Sequence, residues 1–506
     1  MKNSQTSNQP PKKQQLPLKK KRPSKSRLAN VRLALLYLLP VSLFFSYYPR
    51  IPLPFASDST NFELSLPLIL LFIFSILSLP DFFKKLTSSI HDLKSKSSKT
   101  SLLLLLSLFF PTYLSLTILW SKNPVRAILT SGIVWCLYIS IFSIISISKT
   151  SKNFKSSCLI KSFLFGATIT CVFCWLQCLL DVLGVSRDLT LLCQGCTSRI
   201  FGFPHPSGFA IEPQFMGNLL LAPSLFSIFL FFSNRKSTLL DRKLLLAPSV
   251  LFISTLFLTF SRGAIYSFVF ALLFFVIANI LKSNKRALLS LPLVVACFLL
   301  SLLAQGLFSA ASYTNDTFLS GIEKSISQLS LGLFEPNFSA SRTSSEISIS
   351  EETLDDSLEG NNSAEDPGEN LSVFSGYVEE STDIRVGLNE QALELSASSS
   401  NSLFFGFGLG SAGTVLFEEG KTASKKEIIQ NEYFSLLLET GLTGLLLALL
   451  TYFVIVKLIK SSTPTFERIF LYTLFIASIA SLNFFSGLPN ALHLYIFPAI
   501  LFVYLL

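Results

Sequence analysis

Charge is missing from this chain in long, regular blocks, and that limits its fold more than any motif does. Stretches of about 17–25 mostly apolar residues follow one another between short charged loops, until a hydrophilic stretch at 308–430 breaks the pattern. An apolar run of that length is what a helix needs to cross a bilayer. Lipid offers no partner to backbone N–H and C=O groups, so each run must satisfy its own, and helices follow. The expected fold is an all-α polytopic membrane protein. It has about twelve transmembrane helices, with one large extracytoplasmic loop between the ninth and the tenth.

Only 14% of the 506 residues are charged and half are hydrophobic, against about a quarter charged in globular chains. The formal charge of +10 is segregated, so it does not point to nucleic acid. About ten Lys and Arg, with no acid, crowd residues 1–32, including Lys19, Lys20, Lys21 and Arg22. Residues 1–30 read as a basic cytoplasmic tail held near anionic headgroups. The apolar runs place spans near 31–48, 64–82, 101–120, 127–148, 158–181, 213–233, 244–261, 263–281, 287–307, 432–456, 466–485 and 488–506. With the N-terminus inside, the basic loops 83–100, 149–157, 234–243, 282–286 and 457–465 all fall on the cytoplasmic side. Both termini are then cytoplasmic. The chain divides into the tail, spans one to nine over 31–307, the extracytoplasmic loop 308–430, and spans ten to twelve over 431–506.

Within the loop, 336–382 is rich in Ser, Glu, Asp and Asn and is expected to be disordered or weakly ordered. DIRVGLNEQALELSA, from Asp383, has helical spacing and precedes the glycine-rich FFGFGLGSAG. Most cysteines lie in or beside apolar runs. Cys193 and Cys196 form a CxxC in an outside loop, where a disulfide and two free thiols are both acceptable.

Polar groups meet helix ends at four places on the outer side. RIFGFPHPSGFAIEPQFMGN supplies Arg199, His205 and Glu212; TFSRGA holds Arg262 between two apolar runs; Arg385 precedes the glycine-rich stretch; and IIQNEYFSLLLETGLTGLL opens with Gln430, Asn431 and Glu432 and carries Glu439. A single arginine at a membrane surface is usually an anchor. Three on one face, each near a turn, could hold pyrophosphate through their planar forks of donors. His205 reads as a proton acceptor or as a solvated loop residue. Glu439, inside a span, needs a partner or a wet cavity.

At these residues the chain resembles the O-antigen ligase and O-antigen polymerase family of bacterial membrane glycosyltransferases. TFSRGAIYSFVFALLFF is similar to the family's SRGA turn and helix, NSLFFGFGLGSAG to its PLFGVGxG segment, and IIQNEYFSLLLETGLTGLLLALL to its HNxYLxxLxExGLxGL helix. RIFGFPHPSGFAIEP resembles the segment before an earlier span, and the likeness covers about residues 190–460. The resemblance implies a metal-independent glycosyltransferase of the bacterial cytoplasmic membrane that needs no cofactor. It would take a glycan from a polyprenyl-pyrophosphate-linked donor to a glycan or lipid acceptor on the extracytoplasmic side. Arg199, Arg262 and Arg385 would engage the pyrophosphate. The ligases carry His where this chain has Gln430, whose amide cannot act as a base. That departure tilts the reading toward a polymerase in cell-surface polysaccharide assembly and leaves Glu212 and His205 as candidate bases. A ligase to a lipid or protein acceptor is the nearest alternative. A flippase or other transporter of lipid-linked oligosaccharide is the rival of a different class.

Overall fold

The computed structural model describes the chain except residues 1–23, 47–49, 53–62, 95–98, 184–204, 211, 234–245, 312–316, 331–376, 423, 426–427, 488–490 and 506. The described part is helical apart from one short antiparallel pairing, in which β1 (Arg50–Pro52) meets β2 (Glu63–Ser65). The first helices are α1 (Ser24–Ser42), α2 (Leu66–Lys94), α3 (Lys99–Ser107), α4 (Phe109–Leu116), α5 (Pro124–Thr150) and α6 (Ser156–Val182). Then come α7 (Pro213–Phe232), α8 (Leu246–Leu258), α9 (Arg262–Ile280) and α10 (Ser290–Ala311). The region expected as a loop contributes α11 (Phe318–Leu329), α12 (Tyr377–Ser396), α13 (Ser400–Phe405) and α14 (Ala412–Glu418), and the chain closes with α15 (Glu432–Ser462), α16 (Thr465–Ser481) and α17 (Leu492–Leu505).

Among the described residues, eight helical stretches are long and apolar enough to cross a membrane: 66–91, 101–120, 124–150, 156–182, 213–232, 262–280, 286–311 and 432–461. The other four runs expected as spans also contain helices, namely α1, α8, α16 and α17. Of these, α8 and α17 are apolar but shorter than a full crossing requires. The run 101–120 is not one α-helix. It is built from α3, α4 and a 3-10 turn at Thr117–Trp120. Helix α12 starts at Tyr377, so its first residues take up the end of the stretch expected to be weakly ordered.

Helix α7 is the axis of the bundle: 89% of its apolar window is buried, against 22% for α15. Around it, Phe226 and Phe229 pack on Phe470 of α16, and Phe163 of α6 meets Phe226 and Phe497 of α17. Outward-facing positions remain apolar, as in Phe270, Leu273 and Ile277 of α9. Water would penalise such a surface; acyl chains do not. With no hydrophobic drive between helices in lipid, close approach relies on small residues. A Cβ at Gly166 would fall 2.7 Å from the Phe44 ring, so glycine there lets α1 lie against α6.

Helix α15 is broken after its second turn. Gly441 has φ 66° and ψ −171°, a conformation that side-chain-bearing residues avoid. The break frees carbonyls that the helix would otherwise satisfy. Phe407 N–H donates to Leu438 O (3.0 Å), Gly408 N–H to Glu439 O (2.7 Å) and Tyr113 Oη–H to Thr440 O (2.9 Å). The glycine-rich stretch is therefore the backbone partner of the break. Gly406, at φ 68°, lies so close that a Cβ there would fall 2.4 Å from the Glu439 carbonyl carbon.

Candidate functional site

The SRGA turn is placed by its small residues. A Cβ at Gly217 of α7 would fall 2.6 Å from Ser261 Cβ and 2.9 Å from Ala264 Cβ, and a Cβ at Gly263 would fall 2.4 Å from Phe484 Cβ. The turn is thus wedged between α7 and the loop joining α16 to α17. Phe260, the residue before it, takes φ 49°, a strained value for an aromatic side chain that reverses the chain at the end of α8. Arg262 follows as the first residue of α9, half-buried, where the unsatisfied N–H groups of a helix start also favour an anion.

Gln214, in the first turn of α7, ties this turn to α12. Its Nε2 donates to Phe484 O at 2.5 Å, and its Oε1 accepts from Arg385 Nη2 at 3.3 Å. Glu212 stands two residues earlier as the cap residue of α7, followed by Pro213, whose ring suits the first helical position. Burial pushes the Glu212 carboxyl up from its ordinary range, and the nearby Arg385 guanidinium partly opposes that rise. Arg385 is carried by a helix seated on α14 and α15 through Leu388, Ala392 and Leu395, which pack with Val415, Leu416, Ile429 and Leu438.

His205 is not the solvated loop residue that one reading of the sequence allowed. It is buried, its ring stacks on Phe260 at 5.3 Å, and desolvation pushes its pKa down to about 3. The segment that carries it is clipped to α6. Gln177 accepts from Gly208 N–H at 2.8 Å and donates to Gly208 O at 3.3 Å, with Gly208 at φ 59°. Phe209 completes the clip by stacking on Phe173, with centroids 4.3 Å apart.

Arg262, Arg385, Glu212 and His205 are thus gathered at one end of α7 and α9. Arg199 lies outside the described residues, as do Cys193 and Cys196. Gln430 is half-buried directly before Asn431, which caps α15 by accepting from Tyr433 N–H (3.0 Å) and Phe434 N–H (3.3 Å). The Gln430 side-chain oxygen is buried and has no hydrogen-bond partner among the described residues.

A second polar group lies across the 482–487 loop. A small cavity with room for about one water molecule is lined by Arg126, Glu432, Glu439, Ser435 and Ser486, among others. Glu439 accepts from Ala412 N–H at 3.2 Å and feels the charge of Arg126, while Glu432 accepts from Gly487 N–H at 2.7 Å. The intramembrane carboxylate flagged in the sequence therefore has both a partner and a polar cavity. Sequence reasoning missed Arg126, Gln214 and Phe484. Arg126 does carry a local signal, since it follows an Asn-Pro cap, and Asn123 accepts its N–H at 3.2 Å. Phe484 carries none, because its role is a backbone carbonyl that accepts from Gln214, 270 positions away, and a contact with the equally remote Gly263.

Among the described residues no group of three or more His, Cys, Asp or Glu side chains is arranged to hold a metal. No model of a known protein family matches the chain, and no curated protein matches it.

Proposed function

We propose that this protein is a membrane glycan transferase. It takes an oligosaccharide from polyprenyl pyrophosphate and joins it to an acceptor on the extracytoplasmic side, as a polymerase in cell-surface polysaccharide assembly. On this reading the helices make about twelve crossings of a bacterial cytoplasmic membrane, with cytoplasmic termini and 308–430 outside. The observation that carries the proposal is the Gln214 bridge. It ties Arg385 of α12 to Phe484, the residue packed on Gly263 beside Arg262, so two arginines distant in sequence are linked through one turn at a helix start.

The chemistry follows from those groups. As the anomeric carbon–oxygen bond breaks, negative charge grows on the departing pyrophosphate, and Arg262 and Arg385 offset it from fixed positions. The acceptor hydroxyl forms the new bond from the opposite face and gives up its proton. Glu212 suits that role because a carboxylate pushed up by burial is a stronger base. His205 suits it poorly, since a group with a pKa of about 3 holds a proton weakly. Gln430 cannot titrate and would serve only as a hydrogen-bonding group. Displacement in one step inverts the anomeric centre.

The test is the length distribution of surface glycan in a deletion strain carrying the intact protein, Arg262→Ala or Arg385→Ala. Long chains restored by the intact protein and short ones left by both variants, at equal membrane levels, support polymerisation. A full-length glycan that stays on its carrier lipid in the deletion strain would mark a ligase instead. Normal glycan in both variants would remove the arginines from the chemistry.

A further inference from the structure

The composition of 308–430 is that of a stretch outside the membrane, yet part of it meets α15 at bilayer depth. Two helices measure that depth. Gly441, where α15 breaks, stands 16 residues before Lys457, about 24 Å at 1.5 Å per residue. Tyr113 of α4 donates to Thr440 O at the break and stands 14 residues past Lys99, about 21 Å by the same rise. Helices α3 and α15 run side by side, so the lysines that end the two apolar runs mark one boundary. The hydrocarbon core is about 30 Å thick, which puts the break roughly 6–9 Å inside the opposite boundary.

Helix α13 and the glycine-rich stretch come to the same depth. Gly441 is pressed on the backbone of α13, where a Cβ would collide with the Phe404 carbonyl. Trp120, at the end of the run 101–120, donates its Nε1–H to Phe405 O at 3.4 Å. The chain then turns back through Gly408, whose missing Cβ leaves room for the Ser121 backbone. The segment also closes its own polar groups, as backbone away from water must. Ser399 and Ser402 cap the start of α13 reciprocally, and Gly406 N–H donates to Ser402 O at 2.9 Å. Its two phenylalanines, by contrast, face outward: Phe404 and Phe405 are each about half exposed. Leu116, Leu119 and Trp120 are exposed in the run that Trp120 joins to Phe405.

We infer that 399–411 is a re-entrant segment. It enters the membrane from the face that carries Glu432, sets Phe404 and Phe405 against phospholipid acyl chains, and shields the break in α15 from lipid. The break needs that shield because acyl chains offer no donor to the carbonyls it frees, and non-helical backbone at membrane depth persists only where protein covers it. The occupant follows from depth and continuity. Leu446, Leu449 and Phe453 form the outward row of α15, at helical spacing and exposed, and that row starts about 8 Å further into the bilayer than Gly441. The two phenylalanines carry the apolar surface on toward the boundary, where exposed aromatic rings are favoured. The inference does not need the transferase reading, since a transporter or a structural protein with this broken helix would need the same shield.

Photocrosslinking in native membranes tests it. A benzoylphenylalanine is placed, one at a time, at Phe404, at Phe405, at Leu446 of α15 as the lipid-facing reference, and at the exposed Glu419 that ends α14. The replaced phenylalanine side chains are exposed, so the larger ring does not disturb the backbone contact with Gly441. Mass spectrometry separates phospholipid adducts from peptide adducts. The expected result is phospholipid adducts at Phe404 and Phe405 in yields comparable to Leu446, and their loss at Glu419. Phospholipid yields at both phenylalanines no higher than at Glu419, or peptide adducts in their place, overturn the inference. Neither result bears on Arg262 and Arg385, since none of the four positions belongs to that site.

Discussion

The two polar groups on either side of the 482–487 loop are built in opposite ways. On one side Arg385 of α12 meets Gln214 and Glu212 at the start of α7 through a side-chain hydrogen bond and a charge interaction, near the turn that carries Arg262. On the other, the glycine-rich stretch meets the break in α15 as backbone against backbone, with Phe407 and Gly408 N–H groups filling the carbonyls that the break exposes. Side-chain constellations can lose a member and keep their shape. A backbone interface at 2.4 Å clearances cannot accept even a methyl group. Under the proposed function the first group would do the chemistry, and the second would hold the frame that presents it.

The sharpest test of that contrast is at glycine. Gly406→Ala and Gly441→Ala each put a Cβ at positive φ into a carbonyl of the facing helix, at a cost of about 2 kcal/mol or more. The expected outcome is loss of most folded protein, read by fluorescence-detected size exclusion, with any glycan transfer falling in proportion. Gly420→Ala also sits at positive φ but meets nothing within 4 Å, so it should be the mildest of the three.

Arginine variants should behave in reverse. Arg262→Ala is expected to insert and melt normally while transfer drops about 100-fold, the scale of one charge-stabilising donor. Arg385→Lys keeps the charge but loses the fork, so it should recover only part of the deficit of Arg385→Ala. If Arg262→Ala instead lowers the melting temperature as far as Gly406→Ala does, the division into chemistry and frame fails.

A smaller effect lies in pH dependence. Glu212 is raised by burial, so the acid limb of the transfer rate should lie above the ordinary carboxylate range and disappear in Glu212→Gln. Arg385 opposes that rise, so Arg385→Ala should move the limb higher in whatever activity remains. A limb unchanged in Glu212→Gln assigns the proton elsewhere.

The smallest effect concerns His205. Its folded pKa, about 3, lies below the value of 6.5 for a free histidine, so the unfolded chain takes up the proton first. Its contribution is intact above pH 6.5 and is lost as pH falls toward 3, by ~1.4 kcal/mol per unit at most. Thermal unfolding in nanodiscs should therefore show a weaker acid sensitivity in His205→Gln than in the parent. Transfer near neutral pH should follow Glu212 rather than His205.

Helix existence was legible because its cause is local. Apolar runs of membrane length have to be helical in lipid, and the runs expected at 127–148, 213–233 and 263–281 fall on helices that begin at Pro124, Pro213 and Arg262. Candidate residues at helix ends were legible for the same reason, since an arginine beside a tight turn stands out against an apolar background. By itself, then, the sequence determined an all-helical, membrane-embedded chain and marked Glu212, Arg262 and Arg385. The tertiary structure alone decided that Gln214 joins Arg385 to the turn of Arg262, that His205 is buried against Phe260, and that α15 breaks where the glycine-rich stretch can replace its lost hydrogen bonds. Each of these depends on a partner far away along the chain. Periodicity reports which face of a helix is apolar, but not which distant carbonyl or ring will come to rest against it.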